Sequence, residues 1–352
     1  MKILVLCQDY PSETNKYAMS YVHSRNMIYQ VKGNDVTVLN FSATEKYKFE
    51  QIQVLPESQV NLDEYDCVLS HAPNIKNHYR VLKSLKGKKI IFFFHGHEVL
   101  KGYKDYPKPY KWVKYSLFNQ ILSDAYQIFK FKILRKWLTG VFCKKNKIGM
   151  IFVSEWMKEK FVKNMGFKPE AYAEVAVIPN AVNDAFINQS YTKNFNTLAD
   201  CITIRPFDES KYAVDLVVEL AKANPEKSFH IYGKGEYFHH NSCPKNVKIF
   251  EKFISQKDIP ELLNNYKIAV MPTRFDSQGV MMCEMATFGI PLITSNFSVC
   301  LEMLHDFENV NYLDLNNFTK NIDSISWGSK INKSKFSPYV LIEKELEFFN
   351  GL

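Results

Sequence analysis

The amino-acid sequence predicts an α/β protein made of two doubly wound, Rossmann-like domains that face each other across a cleft. The chain has 352 residues, more than a single hydrophobic core usually accommodates, so two domains are expected. In both halves, short apolar runs alternate with apolar residues at helical spacing, which is typical of parallel strands joined by helices. Ligands of such sheets bind beyond the carboxyl ends of the strands, so the two edges together would form the cleft.

Six apolar runs in the first half predict the strands of one parallel sheet. A polar stretch without periodicity follows at 183–196 and is the predicted linker, which gives an N-terminal domain of residues 1–185. The predicted strands of this domain cover residues 2–7, 36–39, 67–70, 90–94, 150–154 and 175–178.

The second half repeats this pattern and predicts a domain of residues 186–336. Its predicted strands cover residues 201–204, 228–232, 247–250, 267–271 and 291–294, and its predicted helices 212–222, 259–266 and 280–288. The amphipathic stretch at 337–352 predicts a last helix that can pack on either domain, with the first domain as the expected one.

The composition excludes several classes of protein. An apolar share of 46% and a charged share of 23% are ordinary for a globular chain. The longest apolar runs, such as 90–94, are far shorter than the ~20 residues that span a bilayer, and the N terminus lacks a signal pattern. We therefore expect a cytoplasmic protein. Seven scattered cysteines without a CxxC pair predict neither disulfides nor a zinc site.

One segment carries the basic excess of the chain. Residues 101–147 contain twelve Lys or Arg and two Asp, a net charge of +10 against +8 for the whole protein. Such a segment suits nucleic acid, but basic side chains interleaved with Tyr and Trp are equally typical of anionic membrane surfaces. Nucleic acid remains the alternative partner. The residues predicted to face the membrane are Lys108, Lys111, Trp112 and Lys114.

The same segment contains apolar residues at helical spacing. They are Phe118, Ile121, Leu122, Ala125, Tyr126, Phe129, Ile133 and Trp137. An amphipathic helix usually turns such a stripe towards its own core, which is the favoured interpretation. The lysines around the stripe are then expected to hold the protein on an anionic surface without insertion.

The sharpest motif lies in the second half, where Asp276 and Glu284 are eight residues apart. A predicted strand ends at Met271, and after a loop a helix begins near Gly279. The N terminus of such a helix has unpaired N–H groups and a positive dipole end, which bind phosphate. Asp276 on the loop is placed to meet a sugar, and Glu284 on the helix to reach ribose hydroxyls. Acids near a helix start also occur for local reasons, so this motif alone keeps both interpretations open.

Arginine usage supports an anion site next to this motif. Only five of the 45 basic residues are Arg, and Arg205 and Arg274 both follow predicted strands of the second half. A guanidinium group suits phosphate because it donates two parallel hydrogen bonds. Lys211 follows Arg205 closely, and Gly233 and Lys234 form a glycine turn after the next strand.

In the first half, His95, His97 and Glu98 follow the predicted strand at 90–94, where chemistry is usual in an open α/β sheet. A histidine in such a place is often structural, but two histidines and a glutamate around one glycine favour a functional site. The loop after the first strand contains no glycine, so Asp9 and Tyr10 would act there through their side chains.

The stretch from Asp276 to Pro291 resembles the acid-x7-acid signature of retaining glycosyltransferases of family 4, which have the GT-B fold. The first acid of that signature is usually Glu and is Asp276 here. By this resemblance, Glu284 would hold the ribose hydroxyls and Asp276 would contact the donor sugar. The amides of Gly279 and Val280 would face the diphosphate.

The resemblance extends to residues outside the signature. It implies that Arg205 and Lys211 bind the donor diphosphate and that Gly233 and Lys234 lie against the donor nucleotide. It also implies that His95 contacts the reacting sugar or the acceptor. His97 and Glu98, with Asp9 and Tyr10, are the candidates for orienting the acceptor.

The implied reaction is retaining transfer of a hexose or acetamido-hexose from a nucleoside diphosphate sugar, expected to be a UDP-sugar, to a hydroxyl. A lipid-linked glycan of a capsule, cell wall or other surface polysaccharide is the expected acceptor, and the inner face of the cell membrane the expected location. No cofactor is expected. No metal is expected either, because the sequence lacks a DxD motif, and Arg205, Lys211 and a helix N terminus can neutralise the diphosphate.

Two other functions remain open. A nucleotide-sugar epimerase of similar architecture would use the same acids and His95 for elimination and re-addition at the sugar. A nucleic-acid-binding protein would use the basic segment 101–147. A dinucleotide oxidoreductase is not expected, because GxGxxG is missing after the first strand.

Overall fold

The computed structural model describes residues 1–13, 15, 18–114 and 116–352. The chain divides into two compact units. Unit 1 contains residues 1–102, 117–180 and 338–352, and unit 2 contains residues 103–116 and 181–337. Each unit is an α/β structure around a mainly parallel sheet, which confirms the predicted fold class of two Rossmann-like units.

The sheet of unit 1 has eight strands. They are β1 (Lys2–Cys7), β2 (Asp35–Asn40), β3 (Tyr47–Phe49), β4 (Ile52–Leu55), β5 (Cys67–His71), β6 (Lys89–Phe94), β7 (Lys147–Phe152) and β8 (Glu174–Val177). Their order is β3-β4-β2-β1-β5-β6-β7-β8, and only the β3–β4 pair is antiparallel among these described strands. The central strands are continuous apolar runs because helices cover both faces of a parallel sheet.

Among the described residues, six α-helices belong to unit 1 and a seventh lies almost entirely in the segment 103–116 of unit 2. The six are α1 (Ser20–Val31), α2 (His78–Leu82), α4 (Leu117–Thr139), α5 (Val141–Lys145), α6 (Glu155–Met165) and α13 (Pro338–Gly351), and the seventh is α3 (Gly102–Asp105). The C-terminal helix α13 packs in unit 1, where the Arg25 guanidinium of α1 donates a hydrogen bond to Glu345 at 3.0 Å. The hydroxyl of Tyr29 donates to the same buried carboxylate.

The sheet of unit 2 has six strands, all parallel. They are β9 (Ala199–Ile204), β10 (Phe229–Tyr232), β11 (Val247–Phe250), β12 (Tyr266–Val270), β13 (Leu292–Ser295) and β14 (Val310–Leu313), in the order β11-β10-β9-β12-β13-β14. The helices are α7 (Asp184–Asn188), α8 (Val214–Ala223), α9 (Tyr237–His240), α10 (Ile259–Leu263), α11 (Val280–Phe288) and α12 (Ser298–Leu304). The eleven predicted strands of both halves are present within three residues of their predicted ends, whereas β3, β4 and β14 were not predicted.

The segment 103–116 packs in unit 2, although the sequence suggested an N-terminal domain continuous from residue 1 to 185. The hydroxyl of Tyr110 donates to Asp215 at 3.0 Å. The ring of Trp112 stacks on Tyr110 at 4.6 Å and on His240 at 4.9 Å between centroids. These contacts leave the Trp112 ring half-buried in unit 2, and its predicted contact with a membrane stays a prediction.

The three lysines predicted to face the membrane with Trp112 are exposed: Lys108, Lys111 and Lys114. Lys108 is nevertheless held through its main chain, because its carbonyl accepts a hydrogen bond from the Ser210 hydroxyl at 2.7 Å. The lysine side chains are thus presented on an anchored segment. Within the described part of the chain, no helix is both long and apolar enough to cross a membrane.

Candidate active site

Unit 2 forms its candidate site at the carboxyl ends of β9, β10 and β12. The loops after β9 and β10 are joined by main-chain hydrogen bonds, from Arg205 N to Tyr232 O at 2.9 Å and from Phe207 N to Lys234 O at 2.8 Å. A Cβ atom on Gly233 would lie 1.8 Å from the Arg205 carbonyl oxygen, so only glycine allows this approach. The predicted glycine turn thus holds Arg205 in place.

Arg205 is a buried cation without a carboxylate partner in its hydrogen bonds. Its side chain is 6% exposed, one terminal nitrogen donates to the Met271 carbonyl at 3.4 Å, and its Nε has no partner among the described residues. Burial lowers the pKa of Arg205, and the charge of Asp276 opposes that shift. A buried guanidinium with an unused donor is a site for an anion.

Lys211 follows Arg205 in the loop after β9, and both cations lie near the ring of Tyr212. The Arg205 guanidinium carbon and the Lys211 Nζ are 5.7 Å and 4.9 Å from the centroid of the Tyr212 ring. The Lys211 ammonium also pairs with Glu209 at 2.9 Å. Lys234, in contrast, is exposed, and its Nζ lies 5.2 Å from the centroid of the Phe253 ring.

Arg274, the second arginine near this edge, is fully engaged in a structural ion pair. Its two terminal nitrogens donate to the two carboxylate oxygens of Asp215 at 2.7 Å and 2.6 Å. This bidentate geometry leaves Arg205 as the arginine whose guanidinium is available for a ligand.

Helix α11 begins at this edge in the way the motif predicts. Gly279 is the residue before the helix, with a left-handed φ of +74°, and no side chain caps the N terminus. Val280 is the first helical residue. Upstream in the loop, Asp276 accepts a hydrogen bond from the Gln278 amide at 3.1 Å. An uncapped helix N terminus binds phosphate groups, and Arg205 and Lys211 follow β9 at the same carboxyl edge of the sheet.

Glu284 lies inside α11 and is 1% exposed. Its carboxylate accepts hydrogen bonds from the Gln256 side chain at 2.7 Å and from the Asn183 amide at 3.2 Å. Burial raises the pKa of Glu284 to about 7, and these two hydrogen bonds oppose the rise. Glu284 can therefore change its charge near neutral pH.

Unit 1 has a histidine pair at the carboxyl ends of β5 and β6. His71 Nδ1 and His95 Nε2 are 3.1 Å apart and share a hydrogen bond, and the ring of Tyr21 lies 4.9 Å from that of His95. Burial holds the pKa of both histidines well below the usual value, so both are neutral at neutral pH. His95 Nδ1 and His71 Nε2 both lack a hydrogen-bond partner among the described residues; His71 is fully buried, whereas His95 is half-buried.

Glu98 shapes the loop that carries His95. Its buried carboxylate accepts hydrogen bonds from the main-chain amides of His95 and of Gly96, the latter at 3.0 Å. These contacts involve both carboxylate oxygens, so Glu98 anchors the loop, and its predicted role in orienting an acceptor stays a prediction. The His97 side chain is 75% exposed, and its Nδ1 lies 3.5 Å from Glu98 Oε2.

Sequence comparison assigns a family to the edge of unit 2. Residues 204–329, which include all of the charged groups described there, match the family of glycosyl transferases group 1. The protein is a glycosyltransferase. A search of curated protein sequences gives no significant match to this chain.

Solved structures share the fold of the glycosyltransferase over its whole length. Sucrose-phosphate synthase from Thermosynechococcus elongatus has a TM-score of 0.68 at 10% identity, over 100% of this chain and 99% of that one. Anabaena Alr3699/HepE, in complex with UDP and glucose, has a TM-score of 0.64 at 12% identity, over 100% of both chains. WaaG, a glycosyltransferase involved in lipopolysaccharide biosynthesis, has a TM-score of 0.54 at 12% identity, over 99% and 95%. The shared fold is GT-B.

The loop after β1 of the glycosyltransferase differs from the prediction. The Tyr10 side chain is 1% exposed, and its hydroxyl lies 2.8 Å from His23 Nδ1 and accepts a hydrogen bond from Asn26 at 3.0 Å. Tyr10 therefore belongs to the core, and its predicted contact with an acceptor is wrong. Asp9 is half-buried and accepts a hydrogen bond from the Tyr10 amide at 2.8 Å.

Three residues at these edges of the glycosyltransferase were missed by sequence reasoning: His71, Asn183 and Gln256. His71 had a recognisable signal, because it ends a buried strand next to the strand that leads to His95. Asn183 and Gln256 reach Glu284 from loops, and a loop residue gives no sequence signal for such a contact. No group of three or more His, Cys, Asp or Glu suited to a metal ion lies within the described residues.

Proposed function

We propose that this glycosyltransferase moves a hexose or an acetamido-hexose from a nucleoside diphosphate sugar to a hydroxyl group, with retention of the anomeric configuration. The observation that carries the proposal is the buried Arg205 guanidinium with its unused Nε donor. A cation is costly to bury without a partner, and a diphosphate would supply that partner.

The proposed diphosphate site combines three sources of positive charge. Arg205 and Lys211 lie around the Tyr212 ring, and the uncapped N terminus of α11 presents the amides at Gly279 and Val280. Such preorganised groups stabilise the negative charge that develops on the leaving diphosphate. They can act without a bound metal or other cofactor, so activity in the presence of a chelator is part of the proposal.

Two acids would hold the other parts of the donor. Glu284 is buried next to the helix start, where ribose hydroxyls would donate to its carboxylate in exchange for Gln256 or the Asn183 amide. Asp276, on the loop before α11, would contact the transferred sugar. Gly233 and Lys234 would lie against the nucleotide, and a UDP-sugar is the proposed donor, as UDP and glucose are bound in the similar HepE structure.

His95 is the proposed contact of the reacting sugar or acceptor in unit 1. Its low pKa keeps the ring neutral, so it would act through a hydrogen bond from or to Nδ1 rather than through a positive charge. His97 and Asp9, which are accessible, remain candidates for secondary acceptor contacts.

The proposed acceptor is a lipid-linked glycan of the capsule, cell-wall or other surface-polysaccharide type, consistent with a polysaccharide-building member of family 4. The proposed location is the cytoplasm, with peripheral attachment to the inner face of the cell membrane. The net charge of +10 in residues 101–147 supports an anionic surface as a partner, with Lys108, Lys111 and Lys114 among the exposed cations. The similar WaaG takes part in lipopolysaccharide biosynthesis.

The test is a thermal-shift panel of nucleoside diphosphate sugars, since a specific donor raises the melting temperature by mass action. The stabilising donor is then incubated with the protein alone and followed by NMR. We expect stabilisation by a UDP-sugar and an unchanged sugar configuration without acceptor. Epimerisation of the sugar would favour the epimerase alternative, and stabilisation by none of the donors would contradict the proposal.

A further inference from the structure

The first half of helix α4 is an apolar surface that the other described residues leave uncovered. Helix α4 covers Leu117–Thr139, and large apolar side chains over its first three turns are more than half exposed. Their exposed fractions are Phe118 67%, Ile121 68%, Leu122 53%, Tyr126 54%, Ile128 59% and Phe129 58%. A concentration of exposed apolar residues of this kind marks an interaction site.

The second half of the same helix is firmly packed, which holds the first half in place. The Trp137 ring contacts Phe92 at 5.0 Å and Tyr79 at 5.2 Å between centroids, and Leu134 is fully buried. Lys130 donates to the His97 carbonyl at 3.2 Å from a buried position. The exposed half is thus a continuation of an anchored helix. The favoured sequence interpretation, in which the whole stripe faces the core, is correct only for this second half.

The distribution of charge distinguishes between a second copy of the chain and a membrane as the partner of this surface. The stretch 117–129 contains one charged residue, Asp124, whereas the exposed residues Lys132, Arg135 and Lys136 follow it on the same helix. Within unit 1 itself, residues 130–147 contain seven Lys or Arg and no acid. A second copy of the chain would bring this same positive charge to the contact and be repelled. An anionic bilayer offers an apolar layer for the stripe and negative headgroups for these basic residues.

We propose that residues 117–129 insert their apolar side chains into the interface of an anionic bilayer, with the helix lying along the membrane surface. Thirteen helical residues extend about 20 Å, less than the ~30 Å thickness of the hydrocarbon core, so the helix lies in the interface and does not cross it. This proposal extends the proposed function, because it names the surface through which the enzyme reaches a lipid-linked acceptor.

Insertion differs from the purely electrostatic attachment expected from the lysines. Attachment through lysines alone is reversed by salt, because salt screens exposed charges. Insertion of Phe118, Ile121 and Phe129 buries apolar area, which salt does not weaken. Salt-resistant binding to anionic vesicles is therefore the signature of the proposed contact.

The experiment is co-sedimentation of the full-length protein with two kinds of vesicle, phosphatidylcholine alone and phosphatidylcholine with phosphatidylglycerol in equal parts. The test variant combines Phe118→Ser, Ile121→Ser and Phe129→Ser. The matched control is Phe195→Ser, because Phe195 is a fully exposed aromatic residue outside α4. We expect the wild type and the control to bind the mixed vesicles and to stay largely bound in high salt. The test variant should bind at least about tenfold more weakly.

A Phe118→Trp variant tests insertion directly, since brominated lipids quench a tryptophan that enters the bilayer interface. Quenching beyond that of the wild type supports the proposal. Absence of vesicle binding by the wild type, or equal binding by the triple variant, would overturn it. Self-association in sedimentation velocity that the triple variant abolishes would assign the surface to a second copy instead.

These measurements are independent of the proposed reaction. Donor binding and thermal unfolding are measured on the same variants without lipid. Both should match the wild type, because the exposed half of α4 contributes no residue to the proposed donor site at the carboxyl edge of the unit 2 sheet. Loss of vesicle binding with intact donor binding isolates the membrane surface. Intact vesicle binding without any donor binding would contradict the proposed reaction alone.

Discussion

The carboxyl edges of the two sheets differ in the kind of polar group that they bury. The edge of unit 2 buries Arg205 and Glu284, which are 6% and 1% exposed. The edge of unit 1 presents His71 and His95, whose pKa values are held low by burial, so that both are neutral. Its one buried carboxylate, Glu98, is used by main-chain amides. A diphosphate requires charged partners, whereas a neutral sugar hydroxyl does not.

The free-energy cost of burying the Arg205 charge supports the assignment of the donor-binding site to unit 2. Arg205 lacks a hydrogen-bonded carboxylate, whereas Arg274 has a bidentate one in Asp215. A buried guanidinium without a hydrogen-bonded carboxylate lowers stability and is retained where function needs it. The two arginines therefore form a matched pair for experiments.

The largest expected effect is that of Arg205→Met, compared with Arg274→Met. Arg205→Met should reduce kcat/KM at least about a hundredfold, since it removes a charged donor contact worth a few kcal/mol. It should keep or raise the melting temperature, because an unpaired buried charge is removed. Arg274→Met should lower the melting temperature and leave donor affinity within a few-fold. Steady-state kinetics and thermal unfolding of both variants check this prediction, and the opposite pattern would exchange the roles of the two residues.

The second prediction concerns Glu284 and pH. The pKa of the free enzyme's Glu284 is about 7, and ribose hydroxyls favour its ionised form, so donor binding should release a proton. The Kd for the nucleotide sugar should therefore fall about tenfold between pH 5.5 and 8, and then remain constant. A nucleotide sugar is used because the terminal phosphate of a free nucleoside diphosphate itself titrates near pH 6.

The control for this pH dependence is Glu284→Gln, which cannot titrate. Its donor affinity should be weaker than that of the wild type at pH 8 and nearly independent of pH. Calorimetry over the pH range in two buffers of different ionisation enthalpy also measures the released proton. A wild-type Kd that does not change with pH would remove Glu284 from the ribose site.

The third prediction concerns the histidines of unit 1. His95→Ala should lower kcat on the order of tenfold to a hundredfold, whereas His97→Ala should change it little, because the His97 side chain is 75% exposed. The low pKa of His95 also means that the rate should not follow its ionisation between pH 6 and 8. Initial rates of both variants across this range test the assignment. Equal losses in both variants would contradict it.

The smallest expected effect is that of a chelator. Arg205, Lys211 and the N terminus of α11 supply the positive charge around the proposed diphosphate, so EDTA should change the rate less than about twofold. The measurement is a progress curve with and without EDTA. Complete loss of activity that magnesium or manganese restores would show that a cation takes part.

Some residues at the carboxyl edge of unit 2 could be predicted from the sequence and others could not. The reason is how far apart the interacting residues lie along the chain. The α11 motif is local, because the strand end, Asp276, Gly279 and Glu284 lie within a short stretch. Arg205 was predicted because arginine is rare in this chain. Gln256 and Asn183 contact Glu284 only through the fold, so their side chains gave no signal.

The errors have the same origin in long-range packing. The local composition around Trp112 also gave no signal for its stacking on His240, which brings together residues far apart in sequence. The sequence suggested that Tyr10 is an accessible loop residue, whereas in the structure its hydroxyl contacts His23 and Asn26. Helix α4 has one continuous periodicity, and only the tertiary structure shows that its two halves have different surroundings.

The most direct test of the donor site is calorimetric binding of UDP and UMP to the wild type and to Arg205→Met. If Arg205, Lys211 and α11 hold a diphosphate, UDP should bind at least about tenfold more tightly than UMP. Arg205→Met should lose most of that difference while its affinity for UMP changes less. Equal binding of UDP and UMP by the wild type, or an unchanged difference in Arg205→Met, would contradict the assignment of this edge to the donor diphosphate.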